Sequence, residues 1–446
     1  MTHKELSHII FKRGKDKFED MEVYIERSKN IEIGVYKGEI DKYNISDTVG
    51  LSFRGICDGK MGYSYTEKVD ESSVDMLIGE AYENSIYIDT DDREIIFEGS
   101  EEYREMNSFN EGLASTPIED KINFIKDLEQ EALALDPRIV AVNYCMYNEI
   151  EKERYINNTK GLTLKDSSNL AYAYLMVVAK EGEETKTGFS YLISNSFTDF
   201  DYKNLAQEAV DEALSLLGAR PIKSKEYPVV FRNDVFADLL GAFRSIFYGE
   251  SVQKGLSLLK DKIKERVASK DFSLVDDPFI EGGFNSRFFD DEGTATSYKK
   301  IIDKGVLNTY LYNWKAALKD GVVSTGNGFR DSYKSSITTA STNLCVVKGN
   351  SSLNDILETI DKGVMIIAVE GLHSGLNPVS GDFSLSARGY EIEKGRIKRP
   401  VNQITIAGNF FELLMDIEGI GDDFKFSSNG VGSPSIKVKK LAISGE

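Results

Sequence analysis

Residues 21–40, MEVYIERSKNIEIGVYKGEI, are the stretch from which the fold can be predicted. Apolar side chains alternate with polar ones along it, at Val23, Ile25, Ile31, Ile33 and Val35. Alternation with a period of two is typical of strands that bury one face and leave the other in water. The pair Lys37-Gly38 follows as a turn signal, so the stretch predicts the first arm of an antiparallel hairpin.

The same pattern continues outward from this stretch. Alternation returns at Leu51 and Phe53, and Asp58-Gly59 is a strong hairpin signal. Amphipathic helices are predicted over residues 3–18 and from about Asp70. A second meander is predicted over residues 139–147, 170–180 and 187–193, with a helix before it and another over about 202–217. A strand meander followed by a helix therefore occurs twice, although the halves share no clear sequence repeat.

The helix before the second meander is predicted to begin at Thr116-Pro117-Ile118-Glu119. Thr116 is placed to cap, and Glu119 would complete a capping box.

Gly218-Ala219-Arg220-Pro221 is interpreted as a domain boundary. A short strand, 227–231, and two adjoining helices to about Val267 follow, and then a region rich in Gly, Thr, Ser and Val. We predict an α+β protein. Its N-terminal domain, 1–220 with possible subdomains 1–112 and 113–220, has antiparallel strands with flanking helices. Its C-terminal domain, 221–446, is mainly β, barrel- or sandwich-like, with helices near its start.

Composition excludes several classes of function. The 446 residues carry a formal net charge of -19, which disfavours binding to nucleic acid or to anionic lipid. Lys437, Lys439 and Lys440 form one small basic group, interpreted as a solvated strand edge. Three separated cysteines without a CxxC suit a reducing compartment, and no apolar run approaches the ~20 residues that cross a bilayer. We expect a soluble, cytoplasmic protein.

Familiar catalytic patterns are weak or missing. The histidines are His3, His8 and His373, too scattered to predict a histidine-based metal site. Gly-x-Ser-x-Gly does not occur, and two Ser-x-x-Lys matches, at Ser257 and Ser297, are interpreted as chance. The acidic clusters, Asp276-Asp277 and Asp290-Asp291-Glu292, lack EF-hand spacing, so we expect turns with solvated carboxylates.

Several blocks resemble the TldD/PmbA family in order and spacing. They are residues 50–54, 62–64, 290–294, 324–328, 377–384, 404–409 and 432–434, so the resemblance covers essentially the whole chain. The resemblance implies a relative of a two-subunit protease that trims unfolded peptides, in which TldD carries zinc and TldE, also called PmbA, is the related subunit. The family's association with DNA gyrase implies no DNA contact in a chain of this charge.

Zinc-bearing members of the family carry His-Glu-x-x-x-His on a helix, and a cysteine ligand near the chain end. At the matching positions this chain has Gly241, Ala242 and Ile246, and no cysteine follows Cys345. These side chains neither bind zinc nor accept a proton from water. The resemblance therefore implies a TldE/PmbA-type subunit without a cofactor of its own, with zinc expected in a TldD-type partner.

The remaining expectations concern substrate and partner. Small and polar residues in the C-terminal blocks are candidates for binding an extended peptide: Thr325, Gly326, Asn327, His373, Asn377, Gly381, Asp382 and Ser384. The helix around Phe236, Phe243, Phe247 and Tyr248 is a candidate contact for a zinc-bearing paralogue, and the alternative is that these aromatic residues fill the domain core. Two alternatives stay open: a self-sufficient hydrolase that uses Cys345, or Asp382 with His373, and a homodimeric module that holds peptides without cutting them.

Overall fold

A computed structural model describes residues 1–88 and 92–446. The N-terminal half consists of long antiparallel strands and helices. Its strands are β1 (Asp20–Tyr36), β2 (Glu39–Cys57), β3 (Lys60–Thr66), β4 (Ile139–Asn158), β5 (Thr163–Glu181) and β6 (Glu184–Ser194). Its helices are α1 (His3–Gly14), α2 (Val74–Tyr87), α3 (Glu111–Ser115), α4 (Ile118–Leu135) and α5 (Tyr202–Ser215).

The six strands form one sheet in the order β3-β2-β1-β4-β5-β6. The two predicted meanders therefore meet edge to edge, with β1 paired antiparallel to β4 at the centre. Helices α2 and α5 pack at corresponding positions on the outer strands β3 and β6. Each meander thus contributes three strands and one outer helix to a single sheet.

The two faces of this sheet have different neighbours. One face is apolar and is covered by helices α1, α2, α4 and α5, which supply two clusters of buried side chains. The other face carries Glu22, Glu26, Arg54, Arg154 and Asp166, and we predicted that it would face water. Most of these side chains are instead buried, because loops of the C-terminal half pack over them.

The C-terminal half contains shorter elements. Its strands are β7 (Lys225–Phe231), β8 (Leu274–Asp276), β9 (Lys299–Asp303), β10 (Val306–Leu307), β11 (Gly328–Phe329), β12 (Thr338–Thr339), β13 (Leu344–Val346), β14 (Lys362–Glu370), β15 (Asp382–Glu393), β16 (Arg396–Asn409), β17 (Ile417–Ile420), β18 (Lys425–Phe426), β19 (Val431–Ser433) and β20 (Ile436–Ser444). Its helices are α6 (Asn233–Phe243), α7 (Gly249–Gln253), α8 (Trp314–Asp320), α9 (Leu353–Glu358) and α10 (Phe410–Met415).

Strands β7, β14, β15, β16 and β20 close into a barrel, since β16 pairs with both β15 and β20. A second sheet has the order β10-β9-β8-β13-β19-β18. The predicted α+β class, with a barrel-like C-terminal region, is confirmed. No helix in the described part of the chain is long and apolar enough to cross a membrane.

Two local predictions are wrong. Thr116 does not cap α4, because its hydroxyl donates to the Gly112 carbonyl at 2.8 Å and so completes the short helix α3. The two helices predicted to reach Val267 end at Gln253, and turns occupy the rest of that segment.

Candidate functional site

The three positions predicted to match the family's metal motif lie at the end of α6 and just beyond it. Gly241 and Ala242 are in its last turn and are partly buried. The α-helix ends at Phe243, so Ile246 lies in the 3-10 turn Arg244–Phe247, where it is fully buried. The three positions are therefore not spaced along one continuous α-helix.

Asn429 fills the space beside Gly241. A Cβ atom at position 241 would lie 2.3 Å from Nδ2 of Asn429. That amide donates to the Ala237 carbonyl at 3.4 Å and to Oδ1 of Asp238 at 3.3 Å. Any side chain at position 241 would displace Asn429 and break these contacts.

Asp238 is a residue of this region that sequence reasoning missed. Its carboxylate also accepts a hydrogen bond from the Ser427 hydroxyl. Burial raises the pKa of Asp238 to about 6, partly offset by the Ser427 hydrogen bond. No sequence signal could have identified it, because its partners come from a loop that is distant along the chain.

Within residues 1–88 and 92–446, no three His, Cys, Asp or Glu side chains converge in an arrangement that could hold a metal ion. The alternative nucleophile Cys345 is buried in β13. Burial raises the pKa of its thiol well above the ordinary value, with further contributions from Asp276 and Asp277. This environment disfavours the thiolate that a cysteine nucleophile requires.

The aromatic residues predicted as a partner contact are core residues. Phe236, Phe243 and Phe247 are fully buried. Phe243 stacks on Phe410 with ring centroids 4.4 Å apart. The predicted interface at this helix is wrong, because the barrel strands and α10 close around its apolar face.

The first block of peptide-binding candidates, Thr325 to Asn327, is tied into the interior. Asn327 is fully buried, and its amide donates to Asp276 at 2.9 Å and to the Ala340 carbonyl at 2.8 Å. The Thr325 hydroxyl donates to Oδ1 of Asn327 at 2.8 Å. Gly326 has φ +70°, and a Cβ there would lie 2.6 Å from the Ala295 carbonyl oxygen. Hydrogen bonds therefore hold these side chains in place. Their role in binding a peptide stays a prediction.

The second block is a surface turn between β14 and β15. His373, Asn377, Asp382 and Ser384 are exposed, whereas Gly381 is buried against Phe411. Oδ1 of Asn377 accepts from the Val379 amide at 3.0 Å. The Asn409 amide donates to Asp382 at 2.9 Å and, with Ser380, lowers the pKa of that carboxyl.

This second block does not assemble a catalytic pair. In the described structure no hydrogen bond joins His373 to Asp382, and none joins this block to Thr325–Asn327. The eight peptide-binding candidates therefore fall into two groups that no hydrogen bond joins among the described residues.

The acidic clusters are not solvated turns, which corrects the prediction. Asp276 and Asp290 are fully buried, and Asp291 and Glu292 are 2% and 4% exposed. Asp276 contacts the Lys299 ammonium at 3.2 Å and accepts from the Thr342 amide at 2.7 Å. These donors compensate for the burial of the carboxylate, so Asp276 has a structural role here.

A buried ionic network joins the two halves of the chain at this point. Glu22 accepts from Nε of Arg54 at 2.7 Å and from Nη2 of Arg330 at 3.3 Å. Arg330 also donates to the Ser52 hydroxyl at 3.1 Å, and its backbone amide donates to Asp291 at 2.8 Å. The polar face of the N-terminal sheet and the 290–330 segment therefore share one set of charges.

Comparison with known proteins agrees with this architecture. Models of the first, central and C-terminal domains of PmbA/TldA metallopeptidases match residues 21–85, 111–217 and 224–445. A metalloprotease PmbA homolog of Buchnera aphidicola (subsp. Baizongia pistaciae) is 28% identical over 74% of this chain and 71% of its own. A metalloprotease TldD homolog of Buchnera aphidicola (subsp. Acyrthosiphon pisum) is 25% identical over 91% and 88%.

Two crystal structures extend the likeness over the whole chain. A Thermotoga maritima protein, described as a candidate modulator of a DNA gyrase, is 32% identical with a TM-score of 0.92 over 99% of this chain and 100% of its own. TldE from Thermococcus kodakarensis is 25% identical with a TM-score of 0.91 over the same shares. The chain belongs to the TldD/PmbA family of metallopeptidases.

Proposed function

We propose that this chain is the zinc-less, TldE/PmbA-type subunit of a two-chain peptidase that degrades or matures unfolded peptides in the cytoplasm. The observation that carries the proposal is the packing at the motif positions. Gly241 is closed off by Asn429, Ile246 is fully buried, and Ala242 offers no carboxylate. Zinc and its activated water belong, in this proposal, to a TldD-type partner.

A surface suited to such a partner lies on β2. Strand β3 pairs with β2 from Leu51 to Cys57. Among the residues that the structure describes, therefore, residues 39–49 of β2 pair with β1 and have no strand on their outer edge. An open edge strand is a template for pairing with another chain. Tyr43 and Ile45 are 50% and 48% exposed there. We assign this edge and its apolar side chains to the paralogue.

The cross-strand neighbours explain why these side chains are uncovered. Tyr43 pairs with Ile33 and Ile45 with Ile31, so all four lie on the apolar face of the sheet. Ile31 and Ile33 are buried in the cluster formed with α4, whereas the β2 residues extend beyond it. A contiguous apolar area at an open edge is typical of an interaction site.

The proposal is tested by co-expressing the chain with a paralogue that carries His-Glu-x-x-x-His. We expect the two chains to co-elute in size-exclusion chromatography, and the mixture to cleave unfolded peptides faster than either chain separately. Elemental analysis should find zinc with the paralogue. Tyr43→Lys with Ile45→Lys should abolish co-elution, while Tyr87→Lys, at an 84% exposed position on α2, should not.

Three results would count against it. A zinc chain that cleaves as fast without this chain and never co-elutes with it would refute the subunit role. Chelator-resistant peptidase activity of this chain by itself would favour the self-sufficient hydrolase. Self-association with peptide binding but no cleavage would favour the homodimeric module.

A further inference from the structure

A crevice lies between the polar face of the N-terminal sheet and two segments of the C-terminal half, 282–291 and 329–341. It has two adjoining compartments of about 150 Å³ and about 240 Å³. Both compartments are lined by Lys152, Arg154, Asn285 and Arg287. The crevice is separate from the motif positions on α6.

Lys152 is the cation of this crevice without a partner. Arg154 pairs with Asp166 at 3.1 Å, and Arg287 pairs with Asp291 at 2.5 Å. Lys152 lines the same two compartments, is partly buried, and makes no hydrogen bond or ion pair with the described residues. Burial and then Arg154 lower the pKa of its ammonium, against the opposing effect of Glu26. A desolvated cation without a counter-ion is unfavourable, and an anion from outside would relieve that cost.

The nearby carboxylates do not fill this role. Glu26 lines the same compartment, but it accepts from the Tyr24 hydroxyl at 3.0 Å and forms no ion pair with Lys152. Asp291 is bound to Arg287 and to the backbone amide of Arg330. Within the described residues the Lys152 ammonium therefore makes no direct ion pair, although the charges of Glu26 and Asp291 act on it at longer range.

The smaller compartment, of about 150 Å³, supplies neutral amide groups and apolar side chains. The side-chain amides of Asn195 and Asn285 line it and make no hydrogen bond within the described structure. Ile150, Leu170 and Phe284 add apolar walls. Free amides next to apolar walls and a cation are the groups that recognise a peptide backbone, a side chain and a carboxylate.

We propose that this crevice binds the carboxylate of an unfolded peptide, with Lys152 as its counter-ion and the Asn195 and Asn285 amides on the adjoining main chain. Only the choice of an unfolded peptide as the ligand rests on the proposed function. A single unpaired cation matches the single charge of a carboxylate, whereas phosphate carries nearly two charges. The small volume accommodates the end of a chain, so the C-terminal carboxylate is the expected source, with an acidic side chain as the other.

The test measures binding of N-terminally labelled, unstructured peptides to the full-length chain by fluorescence anisotropy. Three peptides share one sequence: the free acid, the C-terminal amide, and an amide with one internal glutamate. We expect the acid to bind about 10- to 100-fold more tightly than the plain amide, the range of a charge-assisted hydrogen bond. Tight binding of the glutamate amide would assign the carboxylate to side chains.

Variants identify the cation. Lys152→Gln should remove the preference for the acid, and Lys152→Arg should retain it. Lys165→Gln is the matched control, since that side chain on the neighbouring strand is 65% exposed and should leave binding unchanged. Lys152→Gln should not lower the Tm, because it removes a desolvated charge that has no partner.

Equal binding of all three peptides to the unmodified chain would overturn the proposal, and so would an unchanged acid preference in Lys152→Gln. The assay needs neither zinc nor a second chain. Failure of the subunit hypothesis in co-expression would therefore be distinguishable from failure here.

Discussion

Two neighbouring carboxyl groups, Asp290 and Glu292, show how strongly a site depends on what surrounds it. Asp290 accepts hydrogen bonds from the backbone amides of Gly328, Glu292 and Thr294. Burial nevertheless raises its pKa to about 6. Glu292 accepts from the Trp314 amide at 2.8 Å, and burial followed by repulsion from Asp290 raises its pKa to about 8. Near neutral pH the pair therefore shares a proton, held mainly by Glu292.

The shared proton predicts a pH dependence of stability. The pKa of Glu292 rises from an ordinary 4.5 to about 8 on folding, so its contribution is complete below about pH 4.5 and is lost as pH rises toward 8. Glu292→Gln imitates the protonated group, so its free energy of unfolding should fall less between pH 5 and pH 8. The expected difference is on the order of 1–3 kcal/mol, at about 1.4 kcal/mol per pKa unit.

Urea unfolding of both proteins at several pH values measures this difference. Glu183→Gln, on an exposed hairpin turn, is the control and should follow the unmodified chain. Parallel pH profiles for Glu292→Gln and the unmodified chain would show that Glu292 is ionised in the folded state.

At the scale of elements, the two halves of the sheet use the same contact to hold a helix. Gly62 in β3 would place a Cβ 1.9 Å from the Ala81 carbonyl oxygen of α2, and Gly188 in β6 would place one 2.0 Å from that of Ala209 in α5. Two residues later, the hydroxyls of Ser64 and Ser190 donate to the Leu77 and Leu205 carbonyls, at 2.8 Å and 2.7 Å. A Gly-aromatic-Ser triplet therefore docks a helix in each half.

This contact predicts that alanine substitution of either glycine will lower the stability by a similar amount. Gly62→Ala and Gly188→Ala should each destabilise the fold by about 3 kcal/mol or more, because a helix backbone cannot move aside without leaving the sheet. Gly79→Ala in α2 is the control, since nothing lies within 4 Å of its Cβ position. It should stabilise by up to about 1 kcal/mol through helix propensity. Thermal unfolding distinguishes the three, and equal Tm values would refute the close approach.

At the scale of the whole molecule, the polar face of the N-terminal sheet is a buried interface with the C-terminal half. Arg330 reaches across it to Glu22 and Ser52. The hydroxyl of Tyr191 in β6 donates to the Phe426 carbonyl at 2.9 Å, and that of Tyr63 in β3 donates to the Ser335 carbonyl at 3.0 Å. The sheet is therefore tied to the C-terminal half at both edges and at the centre.

This buried interface predicts that substitutions of two arginines will lower the stability by unequal amounts. The Arg330 side chain is 1% exposed, so Arg330→Met should cost about 3–5 kcal/mol by leaving buried acceptors with too few donors. The surface pair of Arg27 with Asp47, at 2.7 Å and with Arg27 52% exposed, should lose less than about 1 kcal/mol in Arg27→Met. Calorimetry should show one transition in the unmodified chain and two in Arg330→Met. A single, unshifted transition in Arg330→Met would contradict this role.

The sequence by itself predicted the main strands and helices of the N-terminal half, the α+β class and the family. Alternation such as Ile31-x-Ile33-x-Val35 identifies a strand and its apolar face within a few residues, because side-chain direction repeats locally. The residues at positions 241, 242 and 246 could also be read directly, and with them the expectation of a zinc-less chain. Local patterns were sufficient for the strands and the fold class, and the resemblance for the family, whereas the absence of zinc stays a prediction.

Tertiary structure decided which polar and aromatic residues are buried. From the sequence, Asp290 and Glu292 were interpreted as a solvated turn and Phe243 as an exposed contact. In the structure, segments distant in sequence pack over all three residues. Asn429 beside Gly241 and the unpaired Lys152 were equally unpredictable. The physical reason is that burial, pKa and charge pairing depend on neighbours brought together by the fold, and no short stretch of sequence encodes those neighbours.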